Sequence, residues 1–240
     1  MKNFFFNCQA KGGTGKSMLT YLQGLKHEDD AKSAFIDLDS STQTSSRQLA
    51  FLFKEEEQPD RLFTVDIFDS IKKIERERLV KVIESFSKKS FDNIFVDFGA
   101  PESEQLPTLL TLDFSPEEFK GFEEEIGATF IFNVLVCGGT SFTSTSDYLK
   151  KLANILDGKF PIVVYANMFT FKEYTTQLDQ LINWSKKSKA IDKVVEFGDI
   201  EVDRSSGQKI IDLIKDGKGK DGYKNEWMAR TKIKRRLAEI

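Results

Sequence analysis

The sequence predicts an α/β chain: a doubly wound, mostly parallel sheet with helices on both faces. Short apolar runs alternate with helix-length amphipathic stretches along the 240 residues. Those runs are apolar throughout and do not alternate with polar positions, the mark of parallel strands covered on both sides. A strand-like run, a glycine-rich turn and a helix-like stretch open the chain in that order. The length suits one sizeable core, so residues 1–240 read as a single domain.

Each element follows from its pattern. Phe4-Phe5-Phe6 is the first strand and leads into the glycine turn, after which Leu19, Leu22 and Leu25 recur at helical spacing. "SAFIDLD" (33–39) is the second strand and "LFTVDIF" (62–68) a third candidate. Over 69–89, Ile71, Ile74, Val82, Ile83 and Phe86 keep near a 3.6-residue period, which predicts a helix. "DNIFVDF" (92–98) is followed by residues 101–127, long for a crossover and expected to hold two short helices. "ATFIFNVLVCGG" (128–139), a helix near 146–157, "FPIVVYANMF" (160–169), a long helix around 173–187, "KVVEF" (193–197) and two closing helices complete the order. "KDGKGKDGYKNE" (215–226), rich in glycine and lysine, reads as a mobile loop.

Composition excludes several classes. No run approaches the roughly eighteen apolar residues that span a bilayer. One lysine and three phenylalanines at the N-terminus are too short for the apolar region of a signal peptide. Cys8 and Cys137 have no metal-ligand or redox spacing and read as small buried hydrophobes, in a cytoplasmic protein. His27 stands at a charged helix end and reads as solvated. The net charge is −3, yet residues 215–240 hold nine Lys/Arg against four Asp/Glu, so an acidic body carries a basic tail. That asymmetry suits an anionic partner.

The chemistry concentrates in "KGGTGKS" (11–17), three glycines and two lysines in seven positions. Phosphates need inward-turned backbone N–H groups, a nearby cation and a hydroxyl for magnesium. Gly13 and Gly15 supply the wrap, Lys16 the cation for the β/γ-phosphates and Ser17 the hydroxyl for Mg²⁺. Position 10 is Ala, so the strict G-x-x-x-x-G-K-[ST] pattern is not met; the match is K-G-G-x-G-K-[ST], the deviant Walker A motif. With that motif the chain resembles the ParA/MinD superfamily of ATPases, and most of residues 1–170 share the resemblance.

The resemblance implies a P-loop NTPase type of fold that binds ATP and Mg²⁺ through Gly12, Gly13, Thr14, Gly15, Lys16, Ser17 and Met18. It also implies a homodimer that sandwiches two nucleotides, Lys16 holding its own nucleotide and Lys11 reaching the partner's. In "FIDLDSSTQ" it implies that Asp39 lies in switch I and positions the attacking water, with Asp37 supporting the Mg²⁺ water ligands. The residues alone also allow a carboxylate pair capping the next helix, and Asp39-Ser40-Ser41 departs from the family's Asp-Pro-Gln. "FDNIFVDFGAP" ends a Walker B-like strand in Asp97, suited to holding magnesium through water. Gly99 resembles the switch II glycine whose N–H faces a γ-phosphate. Asn167, ending "IVVYAN", matches a position where the family hydrogen-bonds the adenine edge, a plain loop asparagine being the alternative.

Cluster-binding cysteines and a glutamine-hydrolysing domain are missing, which sets aside the metabolic relatives of this superfamily. A nucleotide-binding scaffold without hydrolysis fits poorly with Asp39 and Asp97. Two readings stay: a dimerising switch ATPase serving plasmid or other mobile DNA in segregation or transfer, and a MinD-like membrane-cycling ATPase. The C-terminal "EWMARTKIKRRLAEI" bears on the choice. At 100° per residue Ile233, Leu237 and Ile240 share one side, Trp227 and Met228 fall away from them, and Arg230, Lys232, Lys234, Arg235 and Arg236 surround the stripe. This predicts packing on the domain with cations outward, suited to DNA phosphates without sequence preference and less suited to a membrane. An activating or cargo protein of unidentified kind is the remaining expected partner.

Overall fold

The computed structural model describes residues 1–39, 43–53, 60–67 and 75–240. Seven strands are present there: β1 (Lys2–Cys8), β2 (Ser33–Asp37), β3 (Leu62–Thr64), β4 (Asn93–Asp97), β5 (Ala128–Cys137), β6 (Ile162–Asn167) and β7 (Ile191–Phe197). They form one sheet in the order β3-β2-β4-β1-β5-β6-β7, and every pairing is parallel. The chain winds outward on one side through β2 and β3, returns with β4 beside β1, and then winds outward on the other side through β5 to β7. The crevice at the C-terminal end of β1 therefore lies where the winding reverses, the place where open α/β sheets bind ligands.

Alternation along β1 explains how three consecutive phenylalanines serve two cores. Phe4 and Phe6 are buried in the layer formed with α3 (Arg76–Ser87), α4 (Ala100–Thr108), α5 (Pro116–Glu125), α6 (Phe142–Leu156) and α8 (Thr175–Lys187). Phe5 faces the other layer, where α1 (Lys16–Lys26), α9 (Ser205–Lys215) and α10 (Trp227–Glu239) pack. There it stacks on its register partner Phe95 at 4.7 Å, and Phe95 stacks on its own register partner Phe35 at 4.9 Å. Each buried phenylalanine contributes roughly 1.5–3 kcal/mol, so the β1 run anchors both layers at once.

Several boundaries differ from the sequence expectation. β3 pairs over three residues only, and the helix expected from residue 69 is α3, beginning at Arg76; residues 68–74, with Ile71 and Ile74, lie outside the described residues. Residues 101–127 do hold two helices, α4 and α5, joined by a five-residue π turn at Leu109–Asp113. Ser115 and Glu118 close a capping box at the start of α5. α6 begins at Phe142, before the expected 146, and within its first turn Thr145 donates its hydroxyl to the Ser141 carbonyl at 2.8 Å. A short helix, α7 (Met168–Phe171), precedes α8, and α2 (Thr44–Gln48) follows β2.

The stretch 215–226 does not behave as the mobile loop its composition suggested. Tyr223 is 1% exposed, its hydroxyl lies 2.9 Å from that of Tyr21, and Tyr21 donates to the Lys218 carbonyl at 2.6 Å. Lys220 donates its backbone N–H to Glu28 at 2.7 Å. Gly219 lies close to the same carboxylate: a Cβ there would fall 2.5 Å from Glu28 Oε1 and displace it. His27 is likewise half-buried and not solvated: its ring packs on Phe95 at 5.1 Å and Nδ1 lies 3.1 Å from the Ser33 hydroxyl. Cys8 and Cys137 are free and buried as expected. Among the described residues no helix is long and apolar enough to cross a membrane.

Candidate functional site

The loop between β1 and α1 is built for a wrap. Gly13 and Gly15 take φ of +73° and +100°, conformations that L side chains rarely adopt. A Cβ at Gly15 would also come within 3.0 Å of Asn167 Nδ2. No side chain caps α1, so its first-turn N–H groups face the crevice without a side-chain acceptor. Beneath the loop, Gln9 is fully buried and donates to the Leu135 and Thr145 carbonyls at 2.6 and 3.2 Å, while its Oε1 accepts from the Lys11 N–H at 3.3 Å. Asn7 donates to Thr20 and Gln23 at 2.9 and 2.6 Å and accepts from Asn133 at 2.8 Å, which pins α1 to the sheet.

The two lysines of the loop lie in opposite surroundings. Lys16 is 8% exposed and donates its ammonium to the Gln9 carbonyl at 3.0 Å; Lys11 is exposed. Burial pulls the Lys16 ammonium below its ordinary pKa, and Asp97, Cys8, Asp39 and Glu102 push back.

Asp97 ends β4 beside Ser17. Its Oδ2 accepts from Ser17 Oγ at 3.1 Å and from Ser45 Oγ at 2.5 Å, while Oδ1 is buried with no partner among the described residues. Burial raises this carboxyl to about 7, against hydrogen bonds from Ser45 and Ser17 and the Lys16 charge that lower it, with Asp37 adding to the rise. The donor set fits a hydrated Mg²⁺, which favours few protein oxygens and relies on phosphate for the rest. Ser17 would give a hydroxyl and Asp97 the carboxylate, and the orphaned Oδ1 is an acceptor waiting for a donor. Among the described residues no group of three or more His, Cys, Asp or Glu forms a metal cage of its own.

Asp37 spends its carboxylate locally. It accepts from the Ser46 N–H at 2.7 Å, the Ser46 hydroxyl at 2.8 Å and the Asp39 N–H at 3.0 Å, and burial raises its pKa. Asp39 is half-buried and lies against Gly99, where a Cβ would sit 3.2 Å from Asp39 Oδ1 and 2.1 Å from Glu102 Oε2. A side chain at position 99 would therefore press on the carboxylates of Glu102 and Asp39 and shift them. Ser40, Ser41 and Thr42, where the expected switch departs from the family pattern, lie outside the described residues.

Asn167 donates its amide to the Thr14 carbonyl at 2.9 Å and accepts from the Phe169 N–H at 3.2 Å, so it braces the loop and caps α7. Beside it opens a largely apolar pocket of about 280 Å³ lined by Met18, Gln48, Phe169, Phe197, Ile200 and Lys215, among others. Sequence reasoning had singled out Met18 and Asn167 here and missed Phe169 and Phe197. It also missed Gln9, Ser45, Ser46 and Glu102; the one visible signal was the serine run after Asp39.

No family model and no curated protein sequence matches this chain. Solved structures do. The MinC:MinD cell division protein complex from Aquifex aeolicus superposes with a TM-score of 0.58 at 14% identity, over 100% of this chain and 97% of that one. MinD cell division protein from Aquifex aeolicus gives 0.53 at 15%, over 99% and 95%. A plasmid partition protein from Borrelia burgdorferi gives 0.48 at 13%, over 89% and 96%. The fold is therefore that of MinD, in accord with the resemblance carried by residues 11–17.

Proposed function

We propose that the protein is a Mg²⁺- and ATP-dependent switch ATPase of the ParA/MinD type, which dimerises around its nucleotides. The observation that carries the reading is the meeting of Lys16, Ser17 and Asp97 at the mouth of one glycine loop, with Asp97 Oδ1 left without a partner among the described residues. Phosphoryl transfer to water asks mainly for positioning and charge compensation. The loop N–H groups and Lys16 bind the phosphates, and Asn167 holds the loop closed against α7. Magnesium, when bound by Ser17 and Asp97, neutralises charge that develops on the phosphoryl oxygens. Asp39, beside Gly99, orients the attacking water; Asp37 fixes the segment that carries Asp39. The adenine enters the pocket between Met18, Phe169 and Phe197, at the Asn167 end of the loop. Lys11, exposed on the same loop, is free to serve the nucleotide of a second subunit.

The cycle works in the cytoplasm on mobile DNA, in segregation or transfer, with an activating protein to stimulate slow hydrolysis. Support comes from α10. Ala229 and Ile233 are buried against the domain and Leu237 and Ile240 are partly buried, so the apolar stripe is consumed by packing. Lys232 pairs with Glu201 and Arg236 with Glu239, while Lys234 and Arg235 stay exposed. A second, MinD-like membrane reading draws on Trp227 and Met228, exposed at 64% and 54% at the start of the same helix.

Isothermal titration with Mg·ATP and sedimentation with a slowly hydrolysed analogue test the core of the proposal. Binding followed by dimer formation is expected; no binding by the wild type sinks it.

A further inference from the structure

We infer that Ser45 belongs to the cation site: its hydroxyl, from α2, joins that of Ser17 from α1 and the Asp97 carboxylate from β4 in holding the divalent cation that arrives with a nucleotide. The inference rests on the nucleotide-binding reading above and adds a residue to it.

Ser45 and Ser17 stand in the same relationship to one atom. Both donate to Asp97 Oδ2, at 2.5 and 3.1 Å, and both keep oxygen lone pairs for a hard cation. Ser45 is 1% exposed and Asp97 1% exposed, so neither group is at the surface by accident of solvation. The independent pointer is Asp97 Oδ1, a buried carboxylate oxygen with no donor among the described residues. Two hydroxyls crowd one oxygen of the carboxylate and the other has no donor among the described residues, an arrangement that a hydrated cation completes.

Local geometry makes Ser45 suited to report the cation. Its neighbour Ser46 is bonded through both N–H and hydroxyl to Asp37, so successive residues of α2 are tied to β2 and β4. On its far side α2 meets the 215–223 stretch: a Cβ at Gly217 would fall 2.5 Å from the Arg47 carbonyl. A cation held partly by Ser45 fixes α2, and α2 abuts the segment leading to α10.

The test compares wild type, Ser45→Ala and Ser45→Cys. A fluorescent ADP is titrated in EDTA and in Mg²⁺, and Mn²⁺ affinity of the ADP-loaded protein is read by electron paramagnetic resonance. Circular dichroism melts check that each variant folds. Expected for Ser45→Ala is a loss of roughly fivefold or more in Mn²⁺ affinity, with ADP affinity in EDTA unchanged, since a lost oxygen ligand weakens only the metal-dependent part. Ser45→Cys, nearly isosteric, should weaken Mn²⁺ and raise the preference for Cd²⁺ over Mn²⁺ relative to wild type, because thiolate is the softer ligand. Unchanged Mn²⁺ affinity in Ser45→Ala, an equal loss with and without metal, or an unchanged Cd²⁺ preference in Ser45→Cys each overturns the inference. Wild-type protein that binds ADP in neither condition overturns the nucleotide-binding reading itself, a result distinct from the other three.

Discussion

Lys11 and Lys16 stand on one loop and face opposite environments: Lys16 is 8% exposed with its ammonium on the Gln9 carbonyl, and Lys11 is exposed to solvent. Their substitutions should separate accordingly. Lys16→Ala is expected to weaken ATP binding about 10- to 100-fold, as hydrogen bonds to charged groups contribute roughly 1.5–3 kcal/mol. Lys11→Ala should leave thermal stability within about 0.5 kcal/mol and monomer affinity nearly intact, while abolishing ATP-dependent dimerisation. Calorimetry and sedimentation read the two effects; a Lys11→Ala protein that dimerises normally refutes the trans role.

Asp39→Ala should retain Mg·ATP binding and lose hydrolysis by roughly 100-fold, the scale typical of a positioned catalytic group. The protein then accumulates in its ATP-bound form. Phosphate release under single-turnover conditions measures this directly, and normal turnover would remove the water-orienting role from Asp39.

Asp97 makes the nucleotide-free fold sensitive to pH. Its folded pKa, about 7, lies above the ordinary 3.8. Between those values the folded state holds a proton that the unfolded chain releases, so the protonated carboxyl's advantage is full below about pH 4 and is lost as pH rises through 7. Asp97→Asn removes this loss. It should stabilise the nucleotide-free protein at pH 8 by on the order of 2 kcal/mol and give no gain at pH 4. Denaturant melts across that range provide the comparison, and a variant less stable than wild type at pH 8 would show that the Ser17 and Ser45 bonds need the charge.

For α10, replacing Lys234 and Arg235 with Glu should abolish binding of the ATP-bound dimer to unrelated DNA duplexes and leave hydrolysis by the free enzyme unchanged. Wild-type affinity should fall with salt by a slope of about 0.9 for each phosphate neutralised. Binding to anionic vesicles that depends on Trp227 and Met228, with no DNA binding, would decide for the membrane reading.

Much of this was legible because it is local. The apolar runs are contiguous, and the loop 11–17 carries its chemistry in adjacent residues, so strands, turn and helix could be read in place. The serines of α2 could not: Ser45 meets Asp97 across 52 positions, and serine is too common to announce such a contact. Residues 215–226 misled for a different reason. Glycine and lysine are shared by mobile loops and by tightly packed ones, and only Tyr223 and Glu28 reveal which this is. Asn7 and Asn133 offered an unused signal, each interrupting an apolar strand, and the register sets them side by side.

The central position of β1 has a consequence for how the protein is made. Its sheet partners among the described residues are β4 and β5, so Lys2 must wait for Ala128, and Phe4 for Ile94 and Phe130. At the usual ~5–20 residues per second, the ribosome leaves the Phe4-Phe5-Phe6 run without its neighbours for on the order of ten seconds. Two of those rings are 0% and 2% exposed in the finished fold. Until then they are a sticky segment that a chaperone would hold and through which an interrupted nascent chain would aggregate.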